Sequence, residues 1–518
     1  MGWTLVIIYF IGWHIGMYGM FKKAGITPWK ALVPFYGTWY IVEKCNIKKI
    51  WFWLQLIPIA GQFITIWIGI IFVMNFGKFS LWDHTLVVFL PFLYLPYLGF
   101  SKGNPYKGEK VIKLYKKTVV REWIDAAVFA VVAATLIRTF IFEAYAIPSG
   151  SMEKTLLVND YLFVNKMAYG PRLPMTPISF PFVHNIMPFS QTQVSYSKIV
   201  ELPYKRLPGF TPVKRNDVVV FNFPQGDTII NLPGYGSLRP YYQKVREWGS
   251  RQAVWDTFGA NIIVHPLDKT DNYIKRCVAV GGDTLQIKDS YVYIDGKPAF
   301  VPEFSQQTYT VRTNGQPLDF DELKSDYNIE IRNDGDGEEL ELYQDQLQQE
   351  FHDYKTYTIE LTASDAATIK KLPFVTSVER YVTPSNPLES KVEFFPYDST
   401  DTTKKYSLDN YGPIYIPQKG ATITLTKDNI ALYRRLIRNY EGHTLEETGN
   451  QFIIDGKPTD KYTFKYNYYW MMGDNRHGSQ DSRYWGFVPE TCIVGRASFI
   501  MFSWYKGIRW RRMFSDIK

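Results

Sequence analysis

Tyr273-Ile-Lys-Arg-Cys-Val-Ala-Val-Gly-Gly-Asp-Thr-Leu-Gln-Ile-Lys-Asp-Ser-Tyr-Val-Tyr-Ile-Asp-Gly-Lys-Pro298 decides the fold class. Short runs rich in Val, Ile and Tyr are parted by Gly-Gly-Asp, Asp-Ser and Asp-Gly, so they read as strands joined by tight turns. Working outward, the same grammar holds from Ala144 onward, with strands expected at Tyr161–Asn165, Asp217–Phe223, Thr284–Ile287, Tyr291–Ile294 and Gln451–Ile454. Tyr291-Val-Tyr-Ile-Asp-Gly-Lys-Pro298 recurs as Gln451-Phe-Ile-Ile-Asp-Gly-Lys-Pro458, which fits two independent hairpins or a duplication. Residues 301–460 are more acidic and polar, notably Asp334-Gly-Asp-Gly-Glu-Glu-Leu-Glu-Leu342, and are expected as an inserted β-rich domain. The expected organisation is therefore a mainly β domain in two parts, 144–300 and 461–504, split by that insertion and followed by a basic aromatic tail, 505–518.

Before residue 144 the chain changes character. Mean hydropathy over all 518 residues is −0.18, which excludes a polytopic membrane protein along the whole length. The first 143 residues nonetheless carry four apolar runs, at about 2–21, 50–74, 82–100 and 123–142, against the roughly 20 helical residues a bilayer requires. A cleaved leader at the N-terminus would want a basic start and a small-residue cleavage site, and neither is present. Pro91 and Pro96 interrupt the third run, while Arg138 lies near the end of the fourth, where it is expected to snorkel toward head groups.

Orientation follows from the positive charges. Lys22, Lys23, Lys30, Lys44, Lys48 and Lys49 follow the first run; Lys102, Lys107, Lys110, Lys113, Lys116, Lys117 and Arg121 precede the fourth. Between the second run and the apolar part of the third, from Thr85, the charges are only Lys78 and Asp83. Four spans with both basic loops in the cytoplasm place everything after about residue 146 outside. The net charge of +8 (Lys+Arg 58, Asp+Glu 50) thus reads as a topology signal, not as nucleic-acid binding. Three cysteines, Cys45, Cys277 and Cys492, cannot build a disulfide framework. No CxxC, HExxH, Walker A or GxGxxG pattern occurs, so no cofactor or metal is expected.

Three stretches carry chemistry. Tyr145-Ala-Ile-Pro-Ser-Gly-Ser-Met-Glu-Lys-Thr-Leu156 follows the fourth run directly and sets Ser151 near the bilayer surface. On its own, Ser-Gly-Ser is an ordinary loop. In Tyr273–Leu285, alternation puts Lys275 on the strand face of Tyr273 and Cys277, an apolar setting foreign to a solvating charge. Met472-Gly-Asp-Asn-Arg-His-Gly-Ser-Gln-Asp-Ser-Arg-Tyr-Trp-Gly-Phe-Val-Pro489 is dense in turn formers and charges, and alone would pass for a surface loop.

In this order after a membrane run, the three stretches resemble the bacterial type I signal peptidases (leader peptidases), serine proteases with a Ser-Lys dyad. The resemblance spans Arg138–Gly170, Lys214–Phe223, Tyr273–Pro298 and Trp470–Ala497, and Gly473–Arg483 matches the family's Gly-Asp-Asn-Arg-x-x-Ser-x-Asp-Ser-Arg run throughout. It implies a signal-peptidase-like β-fold, Ser151 as nucleophile and Lys275 as general base. It further implies an oxyanion hole from the Ser149 hydroxyl and the Ser151 backbone N–H, with Ser479 orienting the lysine. Asp481 with Arg483, and Asp474 with Arg276, correspond to supporting ion pairs. Tyr145, Ile147, Met152, Leu156, Tyr273 and Ile274 correspond to pocket walls for small side chains one and three residues before the cut. The implied partners are exported preproteins, the lipid bilayer and the export machinery. The implied location is the cytoplasmic (inner) membrane, multi-pass, with the catalytic domain on the periplasmic or extracellular side.

Lys154 stands where the family often has Pro, and Asn216 replaces Gly in Arg215-Asn-Asp-Val-Val-Val-Phe221. Lys154 also makes Ser151-Met-Glu-Lys154 resemble the Ser-x-x-Lys of penicillin-binding proteins, but no Lys-Thr-Gly occurs anywhere in the chain. The chemistry is coherent without a family name: a serine needs an adjacent base, and a lysine serves only when desolvation removes its proton. The alternative is an inactive relative acting as a membrane assembly or export factor; a binding module has no use for Ser151 and Lys275 together.

Overall fold

The computed structural model describes residues 2–56, 60–190, 192–224, 226, 228–331, 356–383, 394–397, 406–448 and 451–517. The acidic Asp334–Leu342 run lies outside them. Two compact units emerge: Met1–Leu136 with Ser197–Glu201, and Ile137–Tyr196 with Leu202–Lys518.

The first unit is helical. Gly2–Ala24 runs for 23 residues and packs along Pro91–Phe100. Glycines permit the close approach: a Cβ on Gly12 would sit 2.3 Å from Phe92 Cβ, and one on Gly16 would sit 2.4 Å from Leu95 Cβ. Lys23 Nζ donates to the carbonyls of Leu98 and Ser101 at 2.6 Å, satisfying acceptors that the end of the Pro91–Phe100 helix leaves open.

Two expected spans differ from simple rods. The 50–74 run is divided into Ile50–Leu54 and a 15-residue helix, Ala60–Met74, which is short of a full crossing. The 82–100 run forms Leu81–Phe89, started by a Ser80–Asp83 capping box, and Pro91–Phe100, bent by 117° from it. Pro91 has no N–H to continue the first helix and disfavours helical geometry at Leu90, which gives the bend its cause. Among residues described in full, one helix, Val119–Phe140, meets both the length and the hydropathy of a membrane span, and the bent pair meets them jointly. It ends before the expected 142, because Phe142–Ala146 is already a strand.

The second unit is built on one large sheet. Its strand order is Phe142–Ala146, Asp160–Asn165, Ile493–Ser503, Val218–Asn222, Asn272–Ala279, Tyr468–Met472, Val488–Pro489, with Ser515–Asp516 added to Ile493–Ser503. All of these pairings are antiparallel. One face buries Val219, Phe221, Cys277, Met471 and Trp485; another core takes Ile147, Met152, Leu156, Leu162 and Val218. The two Asp-Gly hairpins, Tyr291–Ile294 with its return and Gln451–Ile454 with its return, both pack into a third core around Trp470 and Phe487.

The stretch 301–460, expected as one inserted β-rich domain, contributes to more than one core. Gln306–Thr313, Thr356–Thr362 and Val375–Arg380 form a small sheet with the helices Phe320–Tyr327 and Ala363–Ile369, closed over Val311, Leu323, Ile359, Leu361 and Ile369. Those helices carry side-chain caps from Asp319 and Thr362, local signals within an otherwise mixed periodicity. Tyr411, Ile414, Leu436 and Phe452 join the Trp470 core, so the later part of the stretch belongs with the hairpins. The tail is likewise no free appendage. Arg512 Nη2 meets the fully buried Asp160 carboxylate at 2.6 Å.

Candidate active site

A turn, a strand and a loop converge on one point. The turn Gly150–Met152 follows the edge strand Phe142–Ala146 and is buried throughout, with Ser151 2% exposed. Lys275 sits in the Asn272–Ala279 strand opposite Val219 and is also 2% exposed. Its Nζ lies 2.5 Å from Ser151 Oγ across 124 residues of sequence, and 5.3 Å from the centre of the Tyr273 ring on the same strand face. Ser149 Oγ lies 3.5 Å from Ser151 Oγ. Serine hydroxyl, lysine amine and a second hydroxyl are therefore grouped within reach of one reacting atom.

The third stretch builds the wall behind them. Arg276, facing away from Lys275, makes a bidentate pair with Asp474, Nε to Oδ1 at 2.8 Å and Nη2 to Oδ2 at 2.6 Å, and Thr155 Oγ1 donates to the same carboxylate at 2.7 Å. Arg483 forks onto Asp481 at 2.9 and 2.7 Å, and Asp481 Oδ2 also accepts the Gly473 N–H at 3.1 Å. These pairs are almost fully buried, the setting in which bidentate geometry and extra hydrogen bonds are needed to offset lost hydration. Arg476 between them has its guanidinium pushed down to about 10, mainly by burial.

Ser479 is buried beside this wall: a Cβ on Gly473 would sit 2.2 Å from Ser479 Oγ and 2.4 Å from the Ser151 carbonyl oxygen. The Ser479 hydroxyl makes no hydrogen bond in this structure, so the lysine-orienting contact is not displayed. The expected pocket residues divide. Ile147, Met152 and Leu156 share a core that Ile274 flanks, and Tyr145 flanks an adjoining cluster with Ile274. Tyr273 lies on the opposite side, against Phe223 and Trp485.

Arg138, expected to snorkel toward head groups, also has a protein partner. Its Nε meets Glu143 Oε1 at 2.6 Å, and Lys166 meets Oε2 at 2.7 Å. Burial alone would raise the Glu143 carboxyl, but Lys166 and Arg138 outweigh it and hold the group down at about 2. Sequence reasoning missed this triad, and missed Asn475, whose N–H donates to the Ser151 carbonyl at 3.2 Å. Asn475 was visible inside the Gly473–Arg483 run, whereas Lys166 stands in a plain strand–turn context with no local signal. Among the described residues no group of three His, Cys, Asp or Glu side chains is placed to hold a metal ion.

Comparison with known proteins places this geometry. The model of the family "Signal peptidase, peptidase S26" matches residues 120–357 and 416–504, together more than half of the chain. A family of unknown function (DUF5684) matches residues 29–109. Signal peptidase I of Haemophilus influenzae is 25% identical over 425 residues, covering 80% of this chain and 81% of that protein. Signal peptidase I of Buchnera aphidicola subsp. Acyrthosiphon pisum is 24% identical, covering 79% and 86%, and that of Aquifex aeolicus 22%, covering 74% and 85%. The matched segments bring in Ser151, Lys275 and the whole Gly473–Arg483 wall, so the chain belongs to the peptidase S26 family of signal peptidases and is a serine endopeptidase.

Proposed function

We propose that this protein removes N-terminal signal peptides from exported preproteins, cutting after small residues in an Ala-x-Ala-like pattern, with Ser151 as nucleophile and Lys275 as general base. The observation that carries the proposal is the 2.5 Å separation of Ser151 Oγ and Lys275 Nζ in a buried setting. Burial disfavours the ammonium form, which leaves a lone pair to accept the serine proton. Oγ then attacks the scissile carbonyl, and the oxyanion is held by the Ser151 N–H and the Ser149 hydroxyl. The lysine ammonium returns its proton to the departing amine, leaving an acyl-serine. A water deprotonated by the same lysine attacks that ester, and the second tetrahedral intermediate collapses to release the signal peptide.

The substrate needs an extended backbone, since a helix would occupy the scissile carbonyl with its own hydrogen bond. Phe142–Ala146 ends the sheet in the described residues and leads directly to Ser151, so it is the edge on which a substrate strand would add. Ile147, Met152, Leu156, Ile274 and Tyr145 would close around small side chains and exclude large ones. The four-span topology, with the lysine-rich loops cytoplasmic and the β domain outside, belongs to the same proposal. An inactive relative would not require a buried lysine against a serine. Incubating the purified protein with one preprotein and sequencing the new N-terminus tests the reading. A cut after a small residue, absent in Ser151→Ala, is expected; an uncut preprotein, or cutting that survives Ser151→Ala, contradicts it.

A further inference from the structure

The lobe formed by Gln306–Thr313, Phe320–Tyr327, Thr356–Thr362, Ala363–Ile369 and Val375–Arg380 has its own core and contributes neither Ser151 nor Lys275. It nevertheless reaches the nucleophile turn from two sides, through the motif loop on one and at Lys154 on the other. On one side the Gln306–Thr313 strand begins as a parallel partner of the motif loop: Gln306 N–H donates to the Asp474 carbonyl at 2.8 Å, and Arg476 N–H donates to the Gln306 carbonyl at 2.9 Å. The neighbouring strand then supplies Glu360, whose Oε2 accepts Asn475 Nδ2–H at 2.8 Å. The same amide nitrogen lies 3.4 Å from the Gly150 carbonyl, and Asn475 N–H holds the Ser151 carbonyl at 3.2 Å. Glu360 is half-buried, and burial raises its pKa above the ordinary glutamate range against the lowering effect of Asn475.

On the other side stands Lys154, the residue that departs from the family pattern. Its backbone is left-handed, φ 66°, and its Nζ donates to the Glu330 carbonyl at 3.1 Å, with Asp365 Oδ2 at 3.9 Å. Gly478 records the first contact in the sequence: a Cβ there would stand 2.4 Å from Asn475 Nδ2 and 3.0 Å from Glu360 Oε1. Asn475, backed by Glu360 of the lobe, thus holds Gly150 and Ser151, while the lobe meets Lys154 directly.

We propose that the lobe is a clamp that positions the nucleophile, with Glu360 acting through Asn475 on the Gly150 and Ser151 carbonyls and Lys154 fastening the following turn. The inference rests on Ser151 being the nucleophile. Glu360 and Lys154 are positioning residues: neither touches the reacting atoms, but a displacement of about 1 Å at Ser151 costs on the order of 100-fold in rate.

The test uses the full chain in detergent and a preprotein substrate, with kcat and KM measured per folded enzyme and thermal unfolding recorded for each variant. Glu360→Ala should lower kcat by about 10- to 100-fold with KM within about two-fold of the parent. Glu360→Gln should recover most of that loss, because its amide oxygen still accepts from Asn475; a merely structural role would make the two variants equal. Lys154→Met should lower kcat by about 3- to 10-fold and carries the test should Glu360→Ala not fold. A folded Glu360→Ala or Lys154→Met with kcat within about two-fold of the parent overturns the clamp, as does a Glu360→Gln no better than Glu360→Ala. Ser151→Ala in parallel separates the two ideas: activity there sinks the nucleophile reading, whereas a dead Ser151→Ala beside a fully active Glu360→Ala sinks only the clamp.

Discussion

Asp474→Ala removes the carboxylate that faces Arg276, and the structure sets the size of the effect. Arg276 and Asp474 side chains are 2% and 0% exposed, and the carboxylate accepts from Arg276 Nε, Arg276 Nη2 and Thr155 Oγ1. After the change Arg276 keeps its 2.8 Å bond to the Asn216 carbonyl but loses both charge-assisted bonds in a dry site. Breaking such a pair from one side costs about 3–5 kcal/mol. The upper half of that range is expected, because Asp474 also offsets the repulsion among Arg276, Arg476 and Arg483. Thermal unfolding of the full chain, followed by the fluorescence of buried Trp470 and Trp485, is the assay. At roughly 2 °C per kcal/mol for a large domain, the midpoint should fall by about 8–10 °C. Arg276→Met with Asp474→Leu removes both charges and should recover most of the loss. An Asp474→Ala midpoint within about 1 °C of the parent would refute the argument.

Three further outcomes are expected. Glu143 has a folded pKa depressed below its unfolded value of roughly 4.3, so its contribution, on the order of 3 kcal/mol, is present above pH ~5 and lost as pH falls toward 2; Glu143→Gln should flatten stability against pH in that window, and an unchanged slope would count against the Arg138–Glu143–Lys166 triad. Gly473→Ala drives a methyl into Ser479 Oγ and the Ser151 carbonyl, and should cut kcat by on the order of 100-fold while leaving the chain folded; near-parental turnover would show that the wall can yield. Phe180, Phe182 and the fully exposed Phe189, in a stretch from 175 to 197 without Asp, Glu, Lys or Arg, together with exposed Trp510 and Phe514, should let residues 147–518 float with anionic vesicles at low salt; protein left behind would reject an interfacial role for these side chains.

Much of this was legible in the sequence, and the limits have physical causes. Apolar runs closed by turn residues placed the Tyr291–Ile294 and Gln451–Ile454 strands residue for residue, because each ends in an Asp-Gly turn that leaves little freedom of register. Strand alternation put Lys275 and Arg276 on opposite faces, and the structure turns one to Ser151 and the other to Asp474. Apolar length alone could not reveal the bend at Leu90, although Pro91 offered the clue. The lobe that holds Glu360 was hidden because its strands and capped helices alternate over short distances within a polar stretch. Glu360 itself has no sequence signal: its role comes from a contact made across 115 residues to Asn475.

The most direct test of the account is cleavage of a preprotein by Lys275→Arg. Arginine keeps the positive charge and much of the length, but its guanidinium stays protonated and cannot accept the Ser151 proton. A folded, membrane-inserted Lys275→Arg should lose at least about 10⁴-fold in kcat and fall to the background set by Ser151→Ala. Cleavage near the parental rate would remove Lys275 as the base and contradict the Ser-Lys mechanism.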